Sequence, residues 1–124
     1  MNVVDSSGWL EYFADASNAD FFSPALEKVH ELIVPSISIY EVFKRVLQQR
    51  GENSALQAIA SMQLGQVVNP DATIALGAAK ISLEYELPMA DSVMLATARA
   101  YDAVLWTQDV DFAGIDGVKY IKRT

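Results

Sequence analysis

Four carboxylic acids stand where short apolar runs end or helices begin: Asp5, Glu41, Asp91 and Asp109. Asp5 closes the run Asn2-Val3-Val4-Asp5, and Asp109 lies just beyond Ala103-Val104-Leu105-Trp106. Glu41 is one turn into a helical segment that follows Leu32-Ile33-Val34-Pro35, and Asp91 opens another after Pro88. Carboxylates brought together repel and resist desolvation. A hard divalent cation reverses that cost, because Mg²⁺ takes oxygen ligands and keeps room for water and phosphate. Two such ions can activate a water and stabilise the leaving oxygen of a phosphodiester.

Other chemistries are excluded by composition. The sequence has no cysteine, which removes disulfides, thiolate zinc sites, iron–sulfur clusters and cysteine nucleophiles. The lone histidine, His30, cannot build a multi-histidine metal site and reads as a helix-end surface residue. Nine basic against sixteen acidic residues give 9 − 16 = −7. Such a charge repels nucleic acid and acidic membranes unless bound cations offset it, and two Mg²⁺ would bring it to −7 + 4 = −3. Nucleotide-binding glycine fingerprints are absent. The first basic residue is Lys28, while Asp5, Glu11 and Asp15 come early, so no signal peptide is expected. The longest uncharged stretch, 53–70, contains three glutamines and makes a poor membrane span. A cytoplasmic protein with no membrane association is the expectation.

The elements that must position the acids follow from pattern. The 124 residues are read as one domain, 1–124, long enough to bury roughly 65–70% of the unfolded surface. Short apolar runs at 2–5, 32–35, 66–68, 103–106 and 118–121 read as strands. Helices are expected after Ser6-Ser7-Gly8 (with Ser6 or Ser7 as cap), within 19–30, from Ser38 to Gly51, and over 53–64, 72–86 and 90–101. The last of these is apolar on most sides and is expected to be buried. Strands alternating with helices predict a three-layer α/β/α sandwich around a mainly parallel sheet of four to five short strands. Such sheets carry functional groups outside the carboxyl ends of their strands, which is where the four acids fall.

Each acid has a plain structural role available. Asp5 could cap the first helix. Ser38-x-x-Glu41 has the form of a capping box, and Glu41 to Arg45 that of an i,i+4 ion pair. Asp91 suits a helix start, and Asp109 a side-chain turn. What argues for chemistry is that all four meet at one edge of one sheet. Lys44, Arg45 and Arg50 follow Glu41 and could meet phosphates or form a solvated helix face. Trp9, Tyr12, Phe13, Phe21 and Phe22 could form a partner surface, though aromatics at helical spacing more often fill a core.

Four segments together resemble a known family. They are Val3-Val4-Asp5-Ser6-Ser7, Pro35-Ser36-Ile37-Ser38-Ile39-Tyr40-Glu41-Val42, Pro88-Met89-Ala90-Asp91-Ser92-Val93-Met94-Leu95-Ala96-Thr97-Ala98 and Leu105-Trp106-Thr107-Gln108-Asp109-Val110-Asp111-Phe112. In order and spacing they are similar to the PIN-domain ribonucleases, most closely the VapC-type toxins of type II toxin–antitoxin modules. The resemblance implies a PIN-like fold and Mg²⁺- or Mn²⁺-dependent cleavage of RNA. By match to the motif, the catalytic acids would be Asp5, Glu41, Asp91 and Asp109, with metal on Asp5, Asp91 and Asp109. Ser6 or Thr107 would orient them, and Asp111 would be a water-mediated ligand or a turn residue, ranked below Asp109. The resemblance further implies a homodimer and silencing by a small VapB-like antitoxin.

Three alternatives compete. A receiver-type phosphoacceptor domain shares the length and the alternating pattern, but needs an acidic pair after its first strand and an acceptor Asp after a middle one. Here the first strand ends in one acid and the middle strand in Asn69-Pro70. Asp109-x-Asp111 is also like the motif of haloacid-dehalogenase-type phosphatases, which stands near the N-terminus and needs more chain. A catalytically silent PIN-like binding module is opposed by the retained acids. If the acids form a repelling cluster, Asp5→Asn and Asp91→Asn should each keep or raise metal-free stability.

Overall fold

Val3 and Val4 are neighbours on one short strand and face opposite cores. That alternation is the period of a strand, and it places this strand between two layers of helices. In the computed structural model, all 124 residues are described, and the chain runs β1 (Asn2–Val4), α1 (Ser6–Phe13), α2 (Ala19–Glu27), β2 (Ile33–Pro35), α3 (Ser36–Arg50), α4 (Glu52–Met62), β3 (Gln66–Val68), α5 (Ala72–Tyr85), α6 (Met89–Ala100), β4 (Val104–Thr107) and β5 (Val118–Tyr120). Short 3₁₀ turns occupy Val29–Glu31 and Val110–Phe112.

Every strand pairing is parallel. One sheet has the order β1-β4-β5 and another pairs β2 with β3, and a single bridge from Asn2 to Leu32 joins them. The five strands therefore run in the order β3-β2-β1-β4-β5. One core gathers Val3, Ile33 and Leu105 against α5 and α6; the other gathers Val4, Leu32 and Val34 against α1 to α4. These are the three layers and the parallel sheet that the pattern predicts. The expected burial of α6 holds, with Met94, Leu95, Ala96 and Ala98 all inside.

Strand order reverses at β1. The chain builds outward through β2 and β3 on one side, then returns to lay β4 and β5 on the other. The crevice at such a reversal lies beyond the carboxyl ends of the two central strands. Val4 pairs with Trp106, so Asp5 and Thr107 lie side by side at the carboxyl ends of the two central strands.

Two local starts differ from the sequence reading. The cap of α1 is Asp5, whose side chain accepts from the Gly8 N–H, and not Ser6 or Ser7. A Cβ at Gly8 would stand 2.5 Å from Val4 Cγ1 and 2.7 Å from Phe22, so only glycine lets α1 turn this closely over β1. Helix α3 begins at Ser36, directly after Pro35, so Ser38 is inside the helix and forms no capping box with Glu41. The Ser38 hydroxyl is fully buried and has no hydrogen-bond partner. The aromatic cluster is mainly core: Trp9 and Phe22 are buried, and Tyr12, Phe13 and Phe21 pack partly against them. The reading of all five as a partner surface fails for Trp9 and Phe22. No helix is long and apolar enough to cross a membrane.

Candidate metal centre

Asp5 leaves β1 with its N–H donating to the Trp106 carbonyl at 3.1 Å, which extends the ladder by one residue. Its carboxylate is held on both oxygens. Oδ1 accepts from the Ser7 hydroxyl at 2.8 Å and from the Gly8 N–H at 3.0 Å, and Oδ2 accepts from the Thr107 hydroxyl at 2.7 Å. Burial pushes the Asp5 carboxyl above its ordinary range, the three hydrogen bonds oppose the shift, and the charge of Asp109 adds to it. Asp5 therefore caps a helix and faces the crevice at once; the structural and chemical readings coexist.

Thr107 links strand to strand. Its Oγ1 also accepts from the Asp109 N–H at 2.9 Å. Asp109 Oδ1 in turn accepts from the Asp111 N–H at 3.0 Å and caps the turn Val110–Phe112. This is the side-chain turn expected of Asp109, and it brings Asp111 round toward α6. One carboxylate oxygen from each of Asp91, Asp109 and Asp111 lies within 4.8 Å of the other two.

Asp91 is the third residue of α6. Burial raises its carboxyl to about 7, followed by the charges of Asp109, Asp5, Glu41 and Asp111, all acting in the same direction. No cation contributes a lowering, so the negative charge here is uncompensated within the protein. Glu41, from α3, accepts from the Ser6 hydroxyl at 2.7 Å. Thus Ser6 orients Glu41 while Thr107 orients Asp5 and Asp109.

The acids open into a cavity of about 840 Å³ lined by Asp5, Glu41, Asp91 and Asp109. Glu41, Lys44, Arg45 and Gln48 form one face of α3 along its wall. Arg50 does not join them; it lines a second cavity of about 350 Å³ with Leu10, Phe13, Val46 and Ala58. The donor set is all oxygen, clustered and unpaired with cations, which fits a hard divalent ion such as Mg²⁺ or Mn²⁺. Asp91, Asp109 and Asp111 are the residues whose oxygens can converge on one ion. Asp5 lines the same cavity, with both oxygens also accepting hydrogen bonds.

Sequence reasoning missed several residues at the cavity. Tyr40, Glu11, Gln108 and Arg123 also line it. Glu11, Gln108 and the buried Asn18 form a network that spans the chain: Gln108 Nε2 donates to Glu11 Oε1 at 3.2 Å, and Asn18 Nδ2 donates to Gln108 Oε1 at 3.0 Å. No local spacing announces such contacts. A polar residue immediately before Asp109 was the available signal for Gln108.

Residues 3–118 match the PIN domain, and the chain belongs to that family, a family of nucleases. Its fold is similar to that of a toxin–antitoxin complex chain from Klebsiella pneumoniae, with a TM-score of 0.82 at 23% identity and 96% of each chain covered. It is also similar to Mycobacterium tuberculosis VapC20, a toxin that cleaves the sarcin-ricin loop, with a TM-score of 0.76, 16% identity and coverage of 94% of this chain and 95% of that one. VapBC2 from Rickettsia felis, solved bound to a DNA fragment from its promoter, matches with a TM-score of 0.75 at 13% identity, covering 98% and 97%. No curated protein sequence matches the chain.

Proposed function

We propose that this chain is a divalent-metal-dependent endoribonuclease acting as the toxin of a type II toxin–antitoxin pair. The observation that carries the reading is the uncompensated acid cluster at the β1/β4 crevice, walled by the basic face of α3. When bound, Mg²⁺ or Mn²⁺ supplies Lewis acidity and activates water for attack on a phosphodiester. Asp91, Asp109 and Asp111 would hold it, with Asp5 adding negative charge, or a further ligand, from the same cavity. Glu41, oriented by Ser6, lines the same cavity and would accept a proton from the attacking water. Lys44 and Arg45 sit where phosphate oxygens would lie along α3.

Partners follow from the surface and from the relatives. Among the solved structures of similar fold are toxin–antitoxin complexes. The second cavity shares Leu10, Ala14 and Gln49 with the first. An apolar antitoxin helix resting there could extend a cation into the acids, replacing metal charge. The exposed face of α5, with Ala72, Ala75, Leu76, Ala79 and Leu83, suits a second copy of the chain.

The test is RNA cleavage with metal, with EDTA, and with metal restored. Activity that needs Mg²⁺ or Mn²⁺ and is lost in Asp91→Asn is expected. Cleavage at an undiminished rate by the EDTA-treated protein would sink the metal mechanism. Failure to cut any RNA under metal would favour a silent PIN-like module.

A further inference from the structure

The segment after β5 is anchored beside the acids. Ile121 N–H donates to the Thr107 carbonyl at 3.0 Å, continuing the β4–β5 ladder. Asn18 Nδ2 donates to the Lys122 carbonyl at 3.1 Å, and the Ser17 and Thr124 hydroxyls bond at 2.6 Å. Between these anchors Arg123 is exposed and lines the acidic cavity.

The anchor is costly to build. Asn18 is 5% exposed and Gln108 is 3% exposed, and buried amides must be satisfied. They are satisfied by one another, by Glu11 and by the Lys122 carbonyl. The Asn18 backbone N–H also donates to Glu11 Oε2 at 2.8 Å. Glu11 is therefore already engaged by amide donors on both oxygens. Gln108 adjoins Asp109, so one network holds the loop that carries the acid and the segment that carries the arginine.

On the α3 side of the cavity stand Lys44 and Arg45, with Lys44 Nζ 5.7 Å from the centre of the exposed Tyr40 ring. Arg123 reaches the same cavity from a different element. Resting on the nuclease reading above, we propose that Arg123 is a substrate-binding residue that contacts a phosphate of the RNA strand from the rim contributed by the segment after β5. Asn18 is its positioning residue. The strand then crosses the acids with a cation from α3 on one side and Arg123 on the other. A guanidinium suits this task because it donates to phosphate oxygens in a planar fork.

The experiment uses a single-stranded RNA oligonucleotide that the parent cleaves, drawn from a random-sequence pool, in Mg²⁺. Arg123→Ala is expected to raise KM roughly two- to tenfold with kcat unchanged. The slope of log kcat/KM against log salt should become shallower by about 0.7, one phosphate contact to a single strand. Arg123→Lys should restore most of the loss. Asn18→Ala should reproduce the KM change, and adding it to Arg123→Ala should change little further. Mg²⁺-dependent thermal stabilisation should be the same in Arg123→Ala as in the parent. An unchanged KM and salt slope in Arg123→Ala, with the parent active, overturns the proposal and leaves the nuclease reading standing. A fall in kcat without a rise in KM also overturns it. If the parent cleaves no member of the pool, the nuclease reading fails and this proposal with it.

Discussion

Thr107 Oγ1 donates to Asp5 Oδ2 across 2.7 Å, between two residues 102 apart in sequence. The same oxygen accepts from the Asp109 N–H, so one hydroxyl fixes two acids. Thr107→Val should strand a buried carboxylate oxygen and a backbone N–H, and destabilise by about 1–3 kcal/mol. Thr107→Ser should retain both bonds and most of the stability. Denaturant melts measure the first effect, and Mg²⁺ titration should show weaker binding in the valine variant alone.

Neutralising the acids should not have uniform effects. Asp91 is surrounded by like charge, so Asp91→Asn should keep or raise metal-free stability while abolishing cleavage. Asp5 differs from the expectation drawn from sequence. It receives hydrogen bonds on both oxygens and caps α1. An Asn there turns an NH₂ toward at least one donor, so Asp5→Asn should cost about 1–3 kcal/mol even without metal. Paired melts in EDTA separate the two; equal effects would show that repulsion governs both sites.

Acidity offers a third check. The folded Asp91 carboxyl sits at about 7, above the ~3.9 of an unfolded chain. The folded state thus holds a proton that the unfolded state has released. That contribution is fully present below about pH 4 and is lost as pH rises through about 7. Metal-free protein should melt at a lower temperature near pH 8 than near pH 5, and Asp91→Asn should flatten this difference. Added Mg²⁺ competes with the proton, so its stabilising effect should grow over the same interval. Melting curves at several pH values, with EDTA and with Mg²⁺, test both signs.

Ser6 provides a fourth. It bonds Glu41 across α1 and α3. Ser6→Ala should leave the metal-dependent shift in melting temperature intact and lower the cleavage rate, because Glu41 loses its orientation. Glu41→Gln should lower the rate further, with stability changed little, if Glu41 is the proton acceptor proposed above. A Ser6→Ala enzyme with parental kcat would remove Ser6 from the site.

Much of this site is legible because each acid sits at a boundary. Val3-Val4 before Asp5, and Val104-Leu105-Trp106 before Thr107, are β-branched or bulky runs that mark strands even at three or four residues. The rule that parallel sheets act at their carboxyl ends then brings Asp5 and Asp109 together. The start of α3 was less legible. Ser36 and Ser38 both suit a helix start, and only the pairing of Pro35 with Val68 shows that the helix follows β2 directly. The tie between Asn18 and Gln108 was invisible, because 90 residues separate them and neither lies in a local pattern. Asp111 ranks below Asp109 on sequence and its role stays open there, since the direction of the turn after Asp109 decides which way its carboxylate goes.

The adjacency of β1 and β4 also governs when this site can assemble. Synthesis releases Asp5 well before Asp91, Thr107 and Asp109, and a domain folds as a unit. A nascent chain holding only β1, β2 and β3 lacks the strand that must lie against β1 on its other side. The pairing is non-local, so closing it is a slow step relative to forming helices. The acid cluster is therefore complete only once β4 has paired with β1.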